Sequence, residues 1–94
     1  MKVIKSKVIK GCLEGDNVRE FLFDNVITMD FVYYLEKLGK LILYDEIEKS
    51  YFKIIVRGQY TVKSSLGNKT IRIILPKEFD EVQLDVIKKY IEVF

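Results

Sequence analysis

Ninety-four residues, 49% of them hydrophobic and 32% charged, suffice for one folded domain and leave no room for a second. Sixteen basic against fourteen acidic side chains give a net charge of +2, too small for the balance alone to indicate nucleic acid. With no His and with Cys12 as the only Cys, the chain can build no Ser-His-Asp or Cys-His catalytic constellation, no intrachain disulfide and no thiolate metal cluster.

These exclusions predict a protein that is not an enzyme and carries no cofactor or metal. No apolar run reaches the length of a signal peptide or a membrane span, and a lone Cys suits a reducing compartment. The expected location is the cytoplasm, away from membranes.

Residues 2–10 are β-branched and Lys-rich and read as a strand. Val3, Ile4, Val8 and Ile9 do not keep one parity, which a bulge near Lys5 and Ser6 would reconcile. Gly11 to Asp16 is rich in turn residues. Asn17-Val18-Arg19-Glu20 then matches a capping box and predicts a short helix over 18–24, with Val18, Phe21 and Leu22 on one face. Phe21 and Phe23 also alternate, so a strand stays open for this segment. A helix is predicted from Met29 to Leu38, with Thr28 as N-cap, Asp30 complementing the dipole and Gly39 as the residue just past the end. Its stripe is Phe31, Tyr34, Leu35 and Leu38.

From Leu41 to Leu75 the apolar period becomes two. A Gly67-Asn68 turn pairs Lys63 with Arg72 and Val62 with Ile73, and an odd loop of Arg57-Gly58-Gln59 keeps Phe52, Ile54 and Val56 on the same face as Tyr60 and Val62. Pairing Leu43 with Ile54 adds a further strand. The inner face is then Leu41, Leu43, Phe52, Ile54, Val56, Tyr60, Val62, Ile71, Ile73 and Leu75.

A last helix follows Pro76, with Asp80 as N-cap. Its apolar residues cover an arc of about 200°, wider than docking on a sheet requires. Packing against the helix at 29–38 is the expected main use of the surplus, and Tyr90 and Phe94 are the residues it would offer to a second subunit. The predicted fold is α+β: a single domain over 1–94, with a four-stranded antiparallel meander, an N-terminal strand beside it and two to three helices packed on one face.

The same register fixes the outer face. Tyr44, Lys53, Lys63 and Arg72 fall in one row, with Tyr51, Ser65 and Thr70 on one side and Ile42, Ile55, Thr61 and Ile74 on the other. Like charges directly opposed cost about 0.2 to 1 kcal/mol per pair, so the row calls for an anion or acidic partner unless the long stems carry their charges into water. Tyr44 and Tyr51 beside the cations are placed to stack on bases. Ile42, Ile55 and Ile74 form an apolar strip that a second copy or another protein would cover.

Other clusters give less. Asp45, Glu46 and Glu48 read as a solvated turn, Cys12 lies near Glu14 and Asp16 and gains no thiolate character, and Gly11 and Gly15 precede no phosphate-loop Lys. The function expected is a small non-enzymatic cytosolic interaction module, acting by homo-oligomerisation or as a subunit of an assembly. Its interface would use Ile42, Ile55, Ile74, Tyr90 and Phe94. The alternative is RNA or single-stranded DNA binding through Tyr44, Tyr51, Lys53, Lys63 and Arg72.

Overall fold

Period-two patterning is realised over most of the chain. The computed structural model describes residues 1–10, 17–45, 50–79 and 81–94. Its elements are β1 (Val3–Ile9), β2 (Asn17–Phe23), α1 (Met29–Glu36), β3 (Lys40–Asp45), β4 (Ser50–Val56), β5 (Tyr60–Ser65), β6 (Thr70–Leu75) and α2 (Glu81–Val93). The strands form one antiparallel six-stranded sheet in the order β1-β2-β6-β5-β4-β3, with β3 to β6 as a meander. Both helices pack on one face, so the α+β class and the meander are as the sequence predicts. Among the described residues no helix is long and apolar enough to cross a membrane.

The helix predicted over 18–24 is instead β2, a central strand. Phe21 and Phe23 lie about 200° apart on a helix but on one side of a strand, and both are buried in the core opposite Ile71 and Val3 respectively. Asn17 caps nothing at its own end. Its amide donates to the carbonyls of Pro76 and Lys77, at 3.1 and 3.2 Å, which ties the exit of β6 to the entry of β2. The β1 bulge lies at Ile4, between Val3 and Lys5, and brings Val3 and Val8 to the same face. The turn-rich 11–16 segment and the Asp80 cap fall outside the described residues.

The meander register holds where the turns dictate it. Val56 faces Tyr60 across a 57–59 loop in which Gly58 has φ +75° and the Gln59 N–H donates to the Val56 carbonyl. Lys63 faces Arg72 as predicted, although the turn centres on Leu66 and Gly67 (φ +84°), with the Asn68 N–H donating to Ser65. Leu66 donates instead to Ser50 on β4, and the tip is held by reciprocal bonds between Ile27 and the Gly67-Asn68 backbone.

One strand is displaced by two residues. Leu41, not Leu43, faces Ile54, because the β3–β4 hairpin closes with Tyr44 stacked on Tyr51 and the Ser50 hydroxyl donating to Asp45 at 2.7 Å. A two-residue shift preserves faces, so Leu41 stays half-buried on the inner side, while Leu43 is exposed.

The core joins Phe52, Ile54, Val62, Ile71 and Ile73 of the sheet to Phe31, Val32 and Leu35 of α1 and Leu84, Ile87 and Ile91 of α2. Thr28 caps α1, accepting from the Phe31 N–H at 3.3 Å. Gly39 is no left-handed cap: Lys37 is the C-cap residue, and a Cβ at 39 would overlap the Ile55 carbonyl of β4. Neither helix has a basic residue in its last turn, and each receives a phenol from the other. Tyr90 donates to the Tyr34 carbonyl at 2.8 Å and Tyr34 to the Tyr90 carbonyl at 2.5 Å, with the rings stacked 4.5 Å apart. Arg19 fixes the other end of α2 through Glu81, at 2.7 Å, and lies over the Phe79 ring.

Two outcomes follow from this packing. Gly39→Ala should destabilise the domain by about 1 to 3 kcal/mol in denaturant titration, because the overlap is with main chain and not with a flexible side-chain tip. Burial holds the Tyr90 phenol above its ordinary range, with Tyr34 adding to the effect, and burial followed by the Tyr90 charge does the same for Tyr60. The unfolded chain therefore loses these protons first. Their stabilisation is complete below about pH 10 and is lost as pH rises through the folded values, and Tyr90→Phe should cost about 1 kcal/mol at neutral pH and flatten that alkaline fall.

Candidate functional site on the outer sheet face

Opposite the helices, antiparallel pairing lines side chains up across the sheet. The central row runs Lys7, Glu20, Arg72, Lys63, Lys53 and Ile42, from β1 to β3. Three cations thus occupy directly opposed positions on β6, β5 and β4, as the sequence predicts. Glu20 ends the run and lies 3.5 Å from both Arg72 Nε and Lys7 Nζ. This carboxylate was hidden from sequence reasoning because its segment matched a helix cap; the Phe21/Phe23 alternation was the available clue.

Beside this row lie Tyr44 and Tyr51, with ring centroids 5.1 Å apart and planes at 26°. Tyr44 therefore pairs with Tyr51 and not with Lys53, a consequence of the β3 displacement. The cations, Glu20 and Tyr51 border a depression of about 410 Å³ whose lining also includes Ser65, Asn68 and Thr70. Basic groups, hydroxyls and an aromatic edge around one concavity are suited to an anion attached to a flat ring. Among the described residues no three His, Cys, Asp or Glu side chains converge, and Glu46, Glu48 and Cys12 lie outside those residues.

The isoleucines divide between rows. Ile55 and Ile74 flank Thr61, with Val18 beyond Ile74 and Lys40 beyond Ile55, whereas Ile42 stands next to Lys53. All three are half-buried. Val18 is fully buried and belongs to this face, not to the core. Tyr90 and Phe94 lie on the opposite side of the sheet, against α1, where Phe94 contacts the rings of Phe31 and Tyr34 at 5.2 and 5.1 Å. The five interface candidates therefore lie on two opposite surfaces, the isoleucines on the outer sheet face and Tyr90 and Phe94 on the helix side. Val82, Val86 and Val93 form the exposed apolar stripe of α2 instead.

A scan against protein-family models and comparisons with curated proteins and with solved structures find no match to this chain.

Glu20 sets the balance of the row. Glu20→Gln should raise the salt concentration needed to elute the protein from immobilised heparin, since it removes the one carboxylate lining the depression among the described residues. Because the ion pairs are partly solvated, the melting transition should move by the equivalent of about 1 kcal/mol or less.

Proposed function

We propose that this chain is a small non-enzymatic cytosolic module that binds single-stranded RNA or DNA through its outer sheet face. The observation that supports this reading is the alignment of Arg72, Lys63 and Lys53 on three adjacent strands above the depression, with the Tyr51–Tyr44 pair at its rim. Lysine and arginine take phosphates, while a tyrosine ring offers a stacking surface that accepts any base. A shallow face flanked by aromatics favours a splayed strand over a duplex, whose bases are already stacked on one another. The absence of His from the sequence supports a binding role over acid–base chemistry at neutral pH.

Association with protein, either a second copy or another chain, is the second reading. Its strongest support is the edge of β3, which among the described residues pairs with no strand but β4; the isoleucine strip is half-buried and Tyr90 is packed against α1.

Labelled single-stranded oligonucleotides test the first reading. Three phosphate contacts should give a slope of log affinity against log salt of about −2, and Lys63→Ala should flatten it by about a third. Tyr51→Ala should weaken binding by about 1 to 3 kcal/mol per stacked base and leave the slope unchanged. Lys77→Ala, an exposed control away from the depression, should do neither. No binding at low salt, or equal effects of Lys63→Ala and Lys77→Ala, would refute the site.

A further inference from the structure

The two edges of the sheet are built differently. β1 is interrupted by the bulge at Ile4, and Lys5 and Lys7 project from it into solvent. Bulges and lysines are the usual devices that keep a sheet edge from pairing with another chain. β3 has neither. Its six residues run opposite β4 from Lys40 to Asp45 without a register shift, and its centre is Leu41, Ile42, Leu43 and Tyr44. Leu43 is 44% exposed and Tyr44 37%, and among the described residues β3 has no strand partner but β4. One row of its backbone donors and acceptors is therefore directed away from the sheet.

We infer that β3 pairs antiparallel with β3 of a second copy, fusing the two sheets into one. Symmetry and side-chain chemistry select the register. A two-fold axis relating antiparallel strands stands perpendicular to the sheet, so opposed residues must come from the same face, and the axis must pass beside a single residue.

Centred on Ile42, this arrangement sets Leu41 against Leu43 of the other copy on the helix side. On the outer side it sets Lys40 against Tyr44, where an ammonium can lie on a phenol ring. Both contacts occur twice. Centring on Leu43 instead would set Asp45 against Leu41. The Ile42 register is thus self-complementary from Lys40 to Tyr44, which is the reason to assign this edge to the same chain and not to a foreign strand.

Ile42 is also the β3 member of the cationic row. The axis therefore continues that row into its copy, with the two Lys53 residues three strand spacings apart, about 14 Å. The interface stands without the nucleic-acid reading; if both hold, one strand can cross both depressions.

Sedimentation of the full chain at micromolar concentrations should show a dimer. In a Cys12→Ser background, Ile42→Cys places two thiols at opposed positions whose Cα atoms are within disulfide reach, about 4.5 to 5.5 Å. Mild oxidation should convert most of it to a covalent dimer, whereas Val8→Cys on the other edge should remain largely monomeric. Leu43→Lys alters an already exposed side chain, so the fold should persist, and the dimer should weaken by about tenfold or more. A wild type that stays monomeric, or one that dimerises while Ile42→Cys cross-links no better than Val8→Cys, overturns the inference. Lys63→Ala should leave the dimer intact, which separates failure of the anion site from failure of this interface.

Discussion

The ladder between β2 and β6 joins an N-terminal hairpin to a four-stranded meander, and most of the molecule depends on that junction. A two-stranded hairpin is marginal in water, and a meander alone would leave its Ile71 and Ile73 flank unsealed. Pairing the two segments brings Phe21 and Phe23 onto the inner face beside those isoleucines, and the same pairing positions Arg19 to hold the start of α2. On the other face it puts Glu20 beside Arg72. Core, helix placement and surface charge therefore share one hydrogen-bonded seam.

Charge on the outer face is governed by pleat geometry. Opposed side chains in an antiparallel pair sit about 5 Å apart, so the sheet cannot disperse Lys53, Lys63 and Arg72 once the turns have fixed the register. Long stems and water relieve part of that repulsion, and Glu20 relieves more at one end. An anion in the depression would add its attraction to all three cations of the row.

The meander and the cationic row were legible because local features specify them. Gly58 and Gly67 require positive φ, alternation assigns faces, and together they leave few registers open. β2 was not legible in the same way. Asn17 to Glu20 carry the residues of a helix cap, and what overrides them is pairing with Arg72 to Leu75, more than fifty positions away, to which local propensity is blind. The β3 displacement escaped for a different reason. Period two distinguishes odd from even shifts but not zero from two, and the decision fell to the Tyr44–Tyr51 stack and the Asp45–Ser50 bond. That single shift separated Ile42 from Ile55 and Ile74 and moved Tyr44 away from the cations.

The crossed phenols of Tyr34 and Tyr90 make the last turns of α1 and α2 a single dynamic unit. Helix ends ordinarily fray one at a time, each exposing its own carbonyls to water at little cost. Here α1 cannot unwind without removing a donor from α2, and the reverse holds equally. The amides near both C-termini should therefore exchange with solvent at a common rate set by a joint opening event, although the two helices lie in separate parts of the chain.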